Sequence, residues 1–317
     1  MNKPFIIVLF ALVLLPPIAA LAQVHPTWLT LPQNSVASTD DALALLVNPA
    51  GLGVEGGGAC YFLAPYQSDG RFEDWGIVVG EGFAFAAEAL RSDQGGTRRR
   101  YTWGAGFGDD DFTYGFNYSW TTGIDRQNTW DFGILERPWS FLSVGAVARG
   151  VNNPRLYGNK LSIGWDMGVG LRPLAFFQGK WARPSDRLTF NIDAKLRRFD
   201  EQPGQPAQKY FEEIDYTYGI RSEIIPGITG HLDYSPEIKG VLTHDARIWA
   251  GLTFNFGDIE LGSFQRSGNG LGSAYIAARD IDRDTWLDPV RKRVIIIDTD
   301  DADSDSDEGE AIEIIVE

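Results

Sequence analysis

Between about Gly57 and Asp280 the bulky apolar residues of this chain recur at every second position, in segments of roughly 8 to 12 residues, and this period narrows its fold more than any other feature. Side chains of an extended strand alternate between its two faces, so a period of two belongs to a strand with one apolar face. The clearest pair is Tyr101-Trp103-Ala105-Phe107 and Phe112-Tyr114-Phe116-Tyr118-Trp120, joined by Asp109-Asp110-Asp111. Thr102, Gly104, Gly106 and Gly108 interleave the first run; Thr113, Gly115, Asn117 and Ser119 interleave the second. The pattern returns in Leu161-Ile163-Trp165-Met167-Val169-Leu171, in Leu188-Phe190-Ile192-Ala194-Leu196 and in Ala246-Ile248-Ala250-Leu252-Phe254-Phe256. Pro226-Gly227 and Gly257-Asp258 are tight-turn pairs between such runs, so consecutive strands pair antiparallel in a meander.

Two architectures use that pattern. In a soluble sandwich the apolar face meets a core, where glycine is costly, and the opposite face is rich in charge. In a membrane barrel the apolar face meets lipid and the small polar face lines the lumen. The chain has 36 Gly among its 317 residues, many of them at the interleaved positions. Trp103, Trp120, Trp130 and Trp139 read as strand-end aromatics of interfacial girdles. The expected fold is therefore all-β, an antiparallel transmembrane β-barrel. At about 16 to 18 residues per strand and connection it has about 12 to 14 strands, and an even count of fourteen is expected.

The rest of the chain fits export. Lys3, the apolar run Phe5 to Leu15, Pro16-Pro17 and Ala20-Leu21-Ala22 read as a signal peptide cleaved after Ala22. No later segment has the ~20 apolar residues that a spanning helix requires. The net charge of −15 argues against nucleic acid as a partner. Arg98-Arg99-Arg100 reads as a loop end, and the single Cys60 as a small buried apolar residue. His25, His231 and His244 are widely spaced and fit the surface or the lumen, and no serine sits in a nucleophile elbow. Gly80-Glu81-Gly82 and Gly104-Ala105-Gly106 fall within strand patterns rather than phosphate loops. The sequence thus points to no enzyme, metal site or cofactor. After Pro289 come Arg291-Lys292-Arg293, the apolar run Val294 to Ile297, an acidic stretch from Asp298 to Glu310 and a second apolar run, Ile312 to Val316. Asp303-x-Asp305-x-Asp307 misses the calcium-loop pattern in two places, and the stretch reads as solvated charge.

Ahead of the strands, residues 38 to 53 read Ser-Thr-Asp-Asp-Ala-Leu-Ala-Leu-Leu-Val-Asn-Pro-Ala-Gly-Leu-Gly. A capping Ser38 or Thr39 is expected to open a helical turn, and Asn48-Pro49 to close it. An acidic-Ala stretch that runs into Asn48, Pro49, Ala50, Gly51 and Leu52 resembles the signature of the long-chain fatty acid outer-membrane transporter family (FadL-like) and of its relatives in the type IX secretion system (PorV-like). The resemblance covers about 15 residues of the chain. It implies a fourteen-stranded barrel in the outer membrane whose N-terminal segment tucks into the lumen as a hatch. Pro49 would then fix the chain direction, and Gly51 would allow a tight bend.

The expected division is a signal peptide (1–22), a plug segment (23–56), the barrel (57–280) and an acidic tail (281–317). The partners implied are outer-membrane lipid and either small hydrophobic molecules or a secretion-system protein. Three functional classes follow: a porter for small hydrophobic ligands, a scaffold that anchors a secretion or surface-attachment complex, and a soluble periplasmic β-sandwich. The tail also resembles the junction of barrels fused to signal-peptide-peptidase-like serine proteases, in which any nucleophile would lie beyond Glu317.

Overall fold

The computed structural model describes residues 29, 31–32, 35–54, 58–66, 74–91, 97–109, 111–123, 127–152, 155–156, 159–160, 163–176, 188–197, 213–237, 246–267 and 272–279. The expected signal peptide, His25, His244 and the acidic tail lie outside them.

Among the described residues fourteen strands close into one antiparallel barrel. In chain order they are β1 (Ala59–Tyr66), β2 (Trp75–Glu81), β3 (Phe83–Arg91), β4 (Thr97–Gly108), β5 (Phe112–Thr122), β6 (Asn128–Trp139) and β7 (Leu142–Arg149), then β10 (Gly164–Leu171), β11 (Leu188–Arg197), β12 (Glu213–Ile225), β13 (Ile228–Ser235), β14 (Arg247–Phe256), β15 (Ile259–Arg266) and β16 (Gly272–Arg279). A small ladder in the β7–β10 connection, β8 (Arg155–Leu156) with β9 (Asn159–Lys160), stands apart. Each barrel strand pairs with its neighbour along the chain, and β16 closes on β1 with Ala59 opposite Arg279. Closure leaves no unpaired edge, and one continuous barrel excludes the two-sheet sandwich.

The alternation sorts the faces as a bilayer requires. Phe107, Tyr114 and Phe132 are 48%, 53% and 49% exposed, whereas the interleaved Thr102, Thr113 and Asn117 are buried inside. Tyr101, Trp103, Phe116, Tyr118, Trp120, Trp130 and Phe132 stack into one outer patch across β4, β5 and β6. Trp103 sits in the middle of β4, so this patch runs along the strands and extends well past a rim girdle. At one rim the connections are tight: Gly82, 109–111, 140–141, Gly227 with Pro226, and 257–258, with 172–187 the longer exception. The opposite rim carries the longer loops, and both the plug segment and β16 meet the tight-turn rim. Gly82, Gly227 and Gly257 adopt the positive φ values (62°, 84° and 67°) that such turns demand.

Four expectations are corrected. Arg98, Arg99 and Arg100 lie inside β4, and Arg100 points into the lumen beside Glu88, 3.8 Å away. Cys60 is half-buried on the outward face of β1, because Ala59 and Tyr61 hold the inward positions. The strand expected from Leu161 starts at Gly164; Ile163 precedes it, and Leu161 lies outside the described residues. The helical turn does not open on Ser38 or Thr39. Thr39 Oγ1 donates to the Ser35 carbonyl, and the helix α1 (Ala44–Val47) follows an Asp41 side chain that accepts from Leu43 N–H at 2.9 Å. It ends where expected, at an extended Asn48.

Candidate functional site

The site is the lumen and the segment inside it, residues 35–54. Such a segment offers few internal partners for its backbone, so the wall must supply them. Asn48 is fully buried and does this in both directions. Its Oδ1 accepts from Ala50 N–H at 3.1 Å and caps the 3₁₀ turn Pro49–Gly53, while Nδ2 donates to the Val36 carbonyl at 2.7 Å and to the Ile134 carbonyl of β6 at 3.0 Å. Pro49 takes the first position of that turn, where its missing N–H costs nothing. Ala50 is buried with Val54 and Leu135. Leu52 joins the larger apolar cluster of the lumen. Gly51 does not adopt a positive φ; it is needed for proximity, since a Cβ there falls 2.1 Å from the Thr39 carbonyl oxygen.

The wall is thinned to receive this turn. The 3₁₀ turn lies against β4, β5 and β6. A Cβ at Gly115 would fall 2.3 Å from the Pro49 carbonyl oxygen, and one at Gly133 2.1 Å from Asn48 Oδ1. The glycines of the inner face are therefore contact surface for the plug, and the stacked aromatics cover the other side of the same strands.

Charges complete the seat. Arg149 of β7 is buried between Asp166 (2.9 Å) and Asp131 (3.1 Å) and donates to the Val47 carbonyl at the end of α1. Arg137 meets Asp40 at 3.2 Å. Arg279 meets Asp41 at 2.7 Å and Glu260 at 3.5 Å, and Tyr61 Oη donates to Asp41 at 2.5 Å. Asp193 of β11 accepts from Val36 N–H at 2.8 Å and from Ser35 Oγ at 3.2 Å, and Asn117 Nδ2 donates to the Leu45 carbonyl at 2.7 Å. None of these wall groups was read from sequence as a partner of the segment; Asn117 was placed only on the interleaved polar face. The available signal was a charge wedged between bulky apolar neighbours, as in Trp130-Asp131-Phe132 and Trp165-Asp166-Met167. His231 also faces the lumen; its Nε2 lies 3.1 Å from Thr253 Oγ1.

One sector of the inner wall breaks the polar pattern. The inward positions of β16, β1, β2 and β3 include Ala277, Ala59, Tyr61, Leu63, Val78, Ala84 and Ala86, and with Phe264 and Tyr275 they form one apolar surface. Leu29, Leu31, Leu43, Leu45, Leu46 and Leu52 of the N-terminal segment pack in the same cluster. Burial there is near complete: Tyr61, Leu63 and Val78 have no exposed surface.

A closed antiparallel barrel with an apolar outer belt, a mostly polar lumen, tight turns at one rim and an internal plug is a transmembrane β-barrel of the outer-membrane type. No protein-family profile matches the chain, and no curated protein sequence does. Among solved structures it is similar to the CymD monoaromatic hydrocarbon channel, at 10% identity over 76% of this chain and 92% of that one, with a TM-score of 0.45. It is similar to a Pseudomonas aeruginosa FadL homologue at 11% identity over 82% and 96%, TM-score 0.44. For the P. putida toluene transporter TodX the values are 11%, 74% and 91%, with a TM-score of 0.42.

Proposed function

We propose that the barrel is a porter that carries small, uncharged hydrophobic ligands across the outer membrane, with residues 35–54 as its hatch and Asn48, Pro49, Ala50, Gly51 and Leu52 as the hatch turn. The observation that carries this reading is the apolar sector of β16, β1, β2 and β3. A lumen that only conducts water and ions has no use for a continuous strip of Tyr61, Leu63, Val78 and Ala86 among inward Thr, Asn, Asp and Arg. The charges that border the strip, Glu88 with Arg100 and Asp41 with Arg279, are engaged with each other, which favours an uncharged cargo over a carboxylate. In this reading residues 1–22 direct export, 23–56 form the plug segment, 57–280 the barrel and 281–317 a tail beyond the barrel.

The test is uptake of N-phenyl-1-naphthylamine, an apolar fluorophore, by Gram-negative cells that express the protein. Faster uptake than in vector-only cells, with equal uptake of a small sugar, is the expected result. Equal rates of dye entry in both strains would overturn the reading and return the barrel to the scaffold class.

A further inference from the structure

Two features of the outer face stand on opposite sides of the barrel. The first is the stack of rings on β4, β5 and β6, in which Trp103, Tyr118 and Trp130 form one lateral row and Phe116 and Phe132 belong to the next. It is a ridge, with Phe107, Tyr114 and Phe132 half exposed. The second is a groove of about 870 Å³ across β12, β13, β14 and β15. Ser222, Gly230, Leu252 and Ser263 stand there in one lateral row, and Ala250 and Gln265 lie in the next, so small and polar residues interrupt the apolar belt. Its walls include the exposed Leu232, Phe254 and Leu261, which puts its mouth on the lipid side. His231, Gly251, Gly262 and Tyr275, whose positions face the lumen, complete the lining.

The two features match in place and in chemistry. In the closed order of fourteen strands β5 and β14 are seven strands apart in either direction. Tyr114 and Tyr118 stand two and six residues from Phe112, the tight-turn end of β5, and Phe254 and Ala250 stand two and six residues from Phe256, the tight-turn end of β14. Copies that lie side by side in a bilayer share one orientation and one depth, so only patches at equal height can meet. Lipid tails are as apolar as the barrel walls, so association in a membrane rests on packing large residues against small ones and on hydrogen bonds. At the groove Tyr66 Oη and Ser263 Oγ lie 3.3 Å apart, and Ser222 and Gln265 also line it. Acyl chains offer these groups no partner, whereas the ridge carries the Tyr114 and Tyr118 hydroxyls and the Trp130 indole N–H.

We infer that the ridge of one barrel seats in the groove of a second copy, and that this contact repeats as an open row in the plane of the membrane. Ridge and groove are different patches, so the contact is head-to-tail; they face opposite ways, so it does not close into a ring. An aromatic side chain has about 150 to 250 Å² to bury, and half of that is already covered within the ridge, so four seated rings and the groove around them remove about 600 to 1,000 Å² in all. That is the scale of a weak, reversible contact, which forms where the barrels are crowded. It involves the outer face alone and stands apart from the cargo of the lumen.

The experiment uses the full chain reconstituted at high density into vesicles of phosphatidylethanolamine and phosphatidylglycerol, with Cys60→Ala throughout and oxidation by copper phenanthroline. One protein carries Tyr118→Cys in the ridge, a second Ala250→Cys in the groove, and a third Ile192→Cys on the exposed outer face of β11. Heat-modifiable migration shows that each is folded. A disulfide-linked dimer is expected when the Tyr118→Cys and Ala250→Cys proteins are mixed, at several times the yield of Tyr118→Cys mixed with Ile192→Cys or of either protein alone. A chain with both Tyr118→Cys and Ala250→Cys is expected to give a ladder of trimers and longer products, and Gly230→Trp, which fills the groove, is expected to remove it. A mixed yield equal to that of the Ile192→Cys control shows that lipid fills the groove and overturns the inference. Dimers of Tyr118→Cys alone at the mixed yield show a symmetric pair and overturn it as well, as does a ladder that stops at the dimer or survives Gly230→Trp.

Discussion

Asn48 shows how much one side chain of the lumen can carry. It satisfies two carbonyls and one N–H, on three separate stretches of chain, from a fully buried position. Asn48→Ala leaves all three groups without that partner, and undocking of residues 35–54 is expected to become easier by about 2 to 4 kcal/mol. Hydrogen exchange of the Ala50 and Gly51 amides reads this directly, and protection equal to wild type would count against the seat described here. Gly51→Val acts by volume. Its Cβ would fall 2.1 Å from the Thr39 carbonyl oxygen and 2.8 Å from the Ala44 Cβ, so the turn must leave its seat, while β1 to β16 lose no contact of their own. The variant is expected to keep heat-modifiable migration and to change dye uptake; collapse of assembly with unchanged uptake would refute that division of labour.

The strands and the plug depend on one another through a few buried charges. Arg149 holds Asp131 of β6, Asp166 of β10 and the C-terminal end of α1 together, so it ties three elements with one guanidinium. Arg149→Met leaves two buried carboxylates facing each other and is expected to cost about 3 to 5 kcal/mol. Adding Asp131→Asn and Asp166→Asn is expected to restore most of that loss, since a neutral cluster no longer needs the cation; urea titration of the three proteins in the same detergent gives the comparison. The strands themselves were readable because their period of two survives over nearly every element, and the turns Pro226-Gly227 and Gly257-Asp258 fall where expected. The helical turn was read less well. Ser38 and Thr39 are good caps in the abstract, but the wall claims this stretch first: Asp193 takes Ser35 and Val36, and Asp41 is left to begin the turn.

For the molecule as a whole, the outer face is a solvent boundary with lipid. Phe132 lies near the middle of β6 and is half-exposed there, so Phe132→Arg is expected to lower the folding free energy in a bilayer by about 2 to 4 kcal/mol, as read by urea unfolding in vesicles. A cost near zero would place that face outside the hydrocarbon layer. The sequence by itself determined the fold class, the antiparallel pairing and the point at which α1 ends, and it bounded the strand count at about 12 to 14, of which the barrel has fourteen. All of these follow from local alternation and turn chemistry, which neighbours along the chain specify. It also marked Asn48 to Leu52 as a segment apart. Only the tertiary structure decided which charges anchor the plug, because Arg149, Asp193 and Arg279 meet residues 36–47 only once that segment lies inside the barrel. The apolar sector was hidden for the same reason. Ala277, Tyr61, Val78 and Ala86 each sit at an ordinary inward position of their own strand, and become one surface only when β16 pairs with β1 and Leu29 and Leu31 are laid across them.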